Sequence, residues 1–290
     1  MSTAVESIHS SHGFRAIASL QQAACDQQGR GVWRLSHLLD IHQSGGLVLG
    51  APCSGAPQQD GALQGALVDL IAEVDGYPAR RTVVWVVGAQ TRNRGIGTAL
   101  RLHERKLLQR EGVDLVYWDV DPLSSVELHL ALNKLGGIAT TYTHQAREDH
   151  NTPPTAEIPT DRLRIEWWLE SPRVVRRIDH GQAPPHQSIG LHEMVVLTKT
   201  TMLASGARGL LACEPENTSE HQLVEIPKDL SALRSRDPAA AIQWRAQTQA
   251  VLEQRFHLGY QGVGLIHEAG RSFIVFTRGT RRTTLGVAKD

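Results

Sequence analysis

Cysteine is scarce in this chain: Cys25, Cys53 and Cys213 are the three among 290 residues. They stand far apart and leave an odd count, which argues against a disulfide framework and for a reducing compartment. Net charge is also lacking, since 30 Lys and Arg balance 30 Asp and Glu. No global field therefore favours nucleic acid or a membrane surface as partner. No apolar run is long enough to span a bilayer. Residues 1–12 are polar, without the hydrophobic centre of a signal peptide, and read as irregular. Together these absences give the expectation of a cytoplasmic protein. The 14 histidines are scattered, with only His9-x-x-His12 closely paired. There is no His-Glu-x-x-His and no Cys-x-x-Cys, so no metal site is expected. Low-complexity tracts and short-period repeats are missing too.

What is present is enough hydrophobic material for a core, at 41% of the chain, and a length that suits one large or two ordinary domains. The most informative stretch is Arg92-Asn93-Arg94-Gly95-Ile96-Gly97-Thr98-Ala99-Leu100. It follows a strand-like run, Val83-Val84-Trp85-Val86-Val87, and opens a helix-like run that closes at Glu111-Gly112. A strand, a glycine turn and a helix N-terminus make an anion site. The first helical amides have no carbonyl partner, and the helix dipole adds partial positive charge. Gly95 and Gly97 allow positive φ and a close approach of phosphate to backbone. A Walker A loop would need Gly-Lys-Ser/Thr, and Gly97 is followed by Thr98-Ala99. A dinucleotide fingerprint would need a third glycine where Ala99 or Leu100 stands, although Asp119 could pass for its acid. A diphosphate-bearing ligand is expected here.

The spacing Arg-x-x-Gly-x-Gly resembles the acyl-coenzyme A loop of the GNAT acyltransferase superfamily. The order of segments around it is similar as well: a helix over 96–110, a strand over 113–120, a helix over 124–135 ending at Gly136-Gly137, then strands over 138–142 and 161–169. Asp121-Pro122-Leu123, Asn133-Lys134-Leu135-Gly136 and Asp161-Arg162-Leu163 with Glu166-Trp167 resemble one bacterial branch of predicted acetyltransferases that carries a second, shorter domain. So do Ile226-Pro227-x-Asp229, Asp237-Pro238, Trp244-Arg245 and Gly259-Tyr260. The resemblance spans roughly residues 14–278. It implies an α/β fold, with a mixed, mostly antiparallel sheet flanked by helices over 1–170 and a smaller α+β domain over 171–290.

Along the chain, helices are expected over 14–28 and 36–44, a strand over 45–51 and a loop over 52–61. Residues 62–73 suit either a strand, as the resemblance has it, or a helix. Residues 77–81 read as a connecting loop, 144–160 as a Pro-rich loop and 173–188 as the interdomain linker. Further on, strands are expected over 194–200 and 223–226. Asp237 reads as the N-cap and Pro238 as the first turn of a helix to His257, with Gly259 as its C-cap. Strands over 262–267 and 272–277 follow. Trp244-Arg245 is expected to anchor one domain on the other.

The resemblance implies acetyl-CoA or another acyl-CoA as co-substrate. Its pyrophosphate would lie on the amides of Asn93, Gly95, Ile96, Gly97 and Thr98, with Arg92 or Arg94 adding charge, and its pantetheine arm on Val86, Val87 and Gly88. Asp119 and Asp121 lie at the C-terminal end of a strand, spaced to one face, where two neighbouring carboxylates would raise one pKa and make a general base. Asp121 can equally cap the turn at Pro122. Glu73 is a second candidate base or a surface carboxylate. The usual leaving-group Tyr of the superfamily falls on Leu132, and the chain departs from the branch at Glu127, Ala131 and Arg81-Thr82-Val83. Tyr142, Tyr117 or His129 would then supply the proton, Tyr142 best on position. The activity implied is acyl transfer to a small-molecule amine or hydroxyl, by direct attack in a ternary complex. A non-catalytic acyl-CoA-binding module and acyl-CoA hydrolysis or decarboxylation stay open, as does a homodimer.

Overall fold

The computed structural model describes residues 3–25, 33–53, 62–144, 161–184, 193–214 and 216–286. They divide by packing into two compact units, with the division between Trp118 and Asp119. The sequence boundary at 170/171 is a different cut. The loop residues 54–61 and 145–160, and 185–188 of the expected linker, lie outside the described residues.

The first unit is a sheet covered on both faces. Strand β1 (Glu6–Ser7) pairs antiparallel with β2 (Leu47–Pro52). Strand β3 (Leu63–Val74) lies antiparallel between β2 and β4 (Tyr77–Val87). On the other side of β4, β5 (Leu115–Val120) runs parallel. Alternation along the strands sends two apolar sets to opposite faces. Val48, Ala66, Val68 and Val84 face helices α1 (Ser11–Cys25) and α2 (Leu35–Gln43), packing on Phe14, Ile17, Leu38 and Ile41. Leu49, Ala51 and Leu67 face helix α3 (Ile96–Arg110) through Ile96 and Leu100. One glycine decides how close α3 lies: a Cβ on Gly65 would stand 2.7 Å from Ile96 Cγ2 and 3.1 Å from Leu100 Cδ1.

Two expectations change in this unit, and an open one is decided. The N-terminal dozen residues are not irregular throughout. Ile8 is buried, Glu6–Ser7 pairs with β2, and α1 begins at Ser11, so pairing and burial order a segment that is polar by composition. Residues 77–81 are not a loop but the first half of β4, turned back on β3 by Asp75 and Gly76 in positive φ. The ambiguous 62–73 segment is strand β3.

In the second unit the sheet order is β7 (Arg162–Trp168), β6 (Ile138–Thr143), β12 (Tyr260–Glu268), β13 (Arg271–Arg278), β11 (His221–Ile226) and β8 (Val195–Val196). All neighbours there are antiparallel except β11 and β8. A separate hairpin joins β9 (Thr198–Met202) to β10 (Arg208–Cys213). The helix expected over 124–135 is one α-turn, α4 (Ser125–Leu128), followed by a π-helix at His129–Lys134. In that wider turn Asn133 reaches the β12 backbone: its Nδ2 donates to Leu265 O (2.6 Å) and its Oδ1 accepts from Leu265 N (2.9 Å). The expected linker begins as helix α5 (Pro172–Ile178), whose N-cap Ser171 accepts from Val174 N. Helix α6 (Leu230–Arg236) precedes α7 (Pro238–His257), which Asp237 caps as expected, and α8 (Arg281–Leu285) closes the described chain. Trp244 and Arg245 on α7 find their partners within this unit: Trp244 Nε1 donates to Arg208 O and Arg245 pairs with Asp121. No helix among the described residues is long and apolar enough to cross a membrane.

Gly65→Val should lower unfolding stability by about 1–3 kcal/mol in urea denaturation, because the new methyls must displace Ile96 and Leu100. An unchanged midpoint would show that α3 does not rest on β3 in this way.

Candidate functional site

Strand β4 carries a bulge. Val68 pairs with Val84 but its neighbour Asp69 pairs with Thr82, so Val83 is the extra residue. Beyond it, Val84 and Val86 contribute to the α1 face, and Trp85 and Val87 to the α3 face. The parallel ladder from β4 to β5 runs through Ala79↔Leu115 and Arg80↔Val116 and ends at Arg81↔Tyr117, while β4 continues to Val87. Backbone groups of Val86 and Val87 on that edge are therefore outside the ladder, at the strand where the resemblance implied a pantetheine arm.

The turn after β4 is pinned to β3. Gly88 N and Thr91 Oγ1 both donate to Gln64 O, and residues Ala89–Thr91 form a 3-10 turn. Asn93 (φ 61°) and Gly95 (φ 80°) then take left-handed backbone conformations. Arg92, Asn93, Arg94 and Gly95 are exposed, whereas Ile96 is buried and seats the first turn of α3. Gly95 is the N-cap and has no side chain to offer the helix amides. Ala99 N is bonded to Gly95 O at 2.9 Å, so the amides of Ile96, Gly97 and Thr98 precede the helical ladder. The loop thus presents a row of amides, a helix dipole and two exposed cations to one anionic group. A Cβ at Gly97 would meet Trp85 Nε1 at 3.5 Å and Val87 Cγ2 at 3.6 Å, so its absence widens the gap between α3 and β4.

The carboxylates expected as a pair are held differently. Asp119 lies on β5, with its Oδ1 3.9 Å from Arg164 Nε and its side chain 29% exposed. Asp121, just past β5, is gripped by Arg245: Nη1 to Oδ1 and Nη2 to Oδ2, each 2.7 Å. It also accepts from Leu123 N at 2.8 Å, as its alternative capping role requires. Burial alone would raise its pKa, but Arg245 and the Leu123 amide hold the carboxyl below the usual range. That is opposite to the raised pKa of a paired-carboxylate base. Tyr142 donates its hydroxyl to Asp161 Oδ2 at 2.6 Å, and His144 Nδ1 lies 2.9 Å from Asp161 Oδ1. Burial and Asp161 push the phenol well above its ordinary pKa, so its proton is committed to Asp161. His129 is held below the ordinary histidine range by burial and by His267, whose ring lies 5.5 Å away. Leu132 is fully buried and Glu73 is exposed.

Sequence reasoning missed the carboxylates that are adjacent. Asp69 on β3 and Glu104 on α3 are fully buried, together with Arg101. Arg101 Nη1 donates to Thr82 Oγ1 (2.8 Å) and to both Glu104 oxygens (3.0 and 2.9 Å). Burial, then the negative charge of Asp69, holds Glu104 well above the usual carboxylate range against the pull of Arg101; burial raises Asp69 as well. An acid inside the apolar run Gly65–Ala72 was the available signal.

No protein-family model and no curated protein sequence matches the chain. Solved structures are similar to part of it. A ribosomal-protein-alanine N-acetyltransferase from Brucella melitensis is 14% identical, with a TM-score of 0.45 over 57% of this chain and 99% of that one. An acetyltransferase of the GNAT family from Staphylococcus aureus is 14% identical, with a TM-score of 0.40 over 58% of this chain and 100% of that one. The NatC complex bound to Gag peptide and CoA is 15% identical in the matched chain, with a TM-score of 0.45 over 58% of this chain and 99% of that one.

Replacing Arg245 by Met should cost about 3 kcal/mol of stability at neutral pH, since it leaves the Asp121 carboxylate unpaired. Because the folded pKa of Asp121 is depressed, the pair's contribution is present above about pH 3.9, the unfolded value, and disappears as pH falls through the lower folded value. The stability gap between wild type and Arg245→Met, followed by urea denaturation, should therefore narrow in acid. A gap that stays constant with pH would contradict the pairing.

Proposed function

We propose that this chain is an acyl-CoA-dependent acyltransferase of the GNAT type, with acetyl-CoA as the expected donor and a small-molecule amine or hydroxyl as acceptor. The observation that carries the reading is the bulged β4, its ladder to β5 ending early, and the Gly95-capped first turn of α3 beside it. That arrangement offers a row of donors to a pyrophosphate and a free strand edge to a pantetheine arm. Arg92 and Arg94 supply positive charge at the mouth of the loop. The acceptor would attack the thioester carbonyl directly, passing its proton to a base as the thiolate departs. Asp119 is the base this reading favours, because its carboxylate is partly exposed, whereas that of Asp121 is closed by two short bonds. Cytoplasmic residence, and a homodimer, belong to the same proposal and await their own tests.

A second reading has a specific observation in its favour. Leu132 is buried where the superfamily places its acid, and Tyr142 spends its proton on Asp161. A protein that holds acyl-CoA without transferring the acyl group would have these features. Turnover separates the two: a transferase releases free thiol only with its acceptor present, and a binding module never does. Thiol release without acceptor would indicate hydrolysis or decarboxylation instead.

The test begins with calorimetric titration of acetyl-CoA and CoA. Gly97→Val should raise Kd at least about tenfold, which is about 1.4 kcal/mol, with an unchanged circular dichroism spectrum. Equal affinity in the variant would remove CoA from this loop. Asp119→Asn should lower kcat by about a hundredfold or more and leave CoA affinity unchanged.

A further inference from the structure

The indole of Trp85 is locked in place but its N–H is not used. The guanidinium of Arg101 stacks on it with Cζ 4.2 Å from the ring centroid, and on Trp118 at 4.0 Å. The two indoles themselves meet edge to face, with centroids 5.8 Å apart. Glu104 and Thr82 fix the guanidinium in turn. Trp85 Nε1 is buried and has no hydrogen-bond partner among the described residues. Leaving a buried donor unsatisfied costs about 1–3 kcal/mol, so a site that retains one calls for an explanation. A packing role for the ring would be met equally well by Phe, which carries no such cost.

The place of the N–H supplies the explanation. Nε1 stands 3.5 Å from where a Cβ on Gly97 would be, so it lies against the first turn of α3. The amides of Ile96, Gly97 and Thr98 border the same turn. Thr98 and Gly97 are only half-buried.

We propose that Trp85 Nε1 is a further donor to the pyrophosphate of a bound acyl-CoA, adding a fixed side-chain N–H to the backbone amides of α3. The inference rests on the acyl-CoA reading of this loop and deepens it by assigning a specificity residue for the diphosphate. Arg101 is then a positioning residue: seated in the corner of the two indoles, it holds Trp85 with Nε1 against the first turn of α3. The buried carboxyls of Glu104 and Asp69 keep that guanidinium in place without facing the ligand.

The test is Trp85→Phe, titrated with CoA and with pantetheine, which has the arm but no pyrophosphate. Losing one hydrogen bond to a charged acceptor should weaken CoA about tenfold to a hundredfold and leave pantetheine unchanged. Equal weakening of both would overturn the proposal in favour of a packing role, and so would undiminished CoA affinity. In the unaltered protein, CoA should move the indole N–H resonance of Trp85 downfield, the resonance being assigned by its loss in the variant. An unmoved resonance at CoA saturation would overturn the donor role whatever the variant does to folding. Failure of the unaltered protein to bind CoA at all would overturn the acyl-CoA reading itself.

Discussion

The contact between α3 and the sheet is the constraint from which the candidate site follows. Ile96 and Leu100 descend onto β2 and β3 where Gly65 has no side chain, and this fixes the height of the helix's first turn above β4. Gly95 then only has to turn the chain, in a conformation that L side chains adopt at a cost, and the next amides point outward. The same seating places Arg101 one turn further along, against Trp85 and Trp118. Apolar packing sets the position, and the polar groups that could hold a diphosphate inherit it.

Beneath that contact lies a costly arrangement. Arg101, Glu104 and Asp69 are charged or chargeable groups with no access to water, and burial of such groups is weak evidence for stability. Burial raises both carboxyls in pKa, against the pull of Arg101. Such an arrangement fixes geometry more than it adds stability. The stacked guanidinium contacts two aromatic faces and donates from Nη1 to both Glu104 oxygens.

How much was legible in the sequence depended on the range of the forces involved. The strand, glycine turn and helix around Gly95 are local, and the helix bounds at Ile96–Arg110 were readable from the glycine turn, the resemblance and the Gly112 cap. Helix α7 was likewise announced by Asp237-Pro238. Asp121 was not readable, because its environment is made by Arg245, 124 positions away. Two acids two residues apart looked like a pair, yet one faces Arg164 and the other Arg245. Residues Pro172–Ile178 were hidden by their many arginines, whose helix buries Val174 while Arg173 donates to Gly136 O and Val263 O. The π-turn was invisible for a related reason: its registry serves Asn133, whose partner Leu265 lies in a distant strand.

The central claim is that the first turn of α3 receives the diphosphate of an acyl-CoA. Amide chemical shifts of the isotopically labelled protein during titration with acetyl-CoA test it most directly. The account predicts that the largest movements fall on Gly95, Ile96, Gly97 and Thr98, with Val86 and Val87 following. Saturable binding that moves other amides and leaves these in place would contradict it.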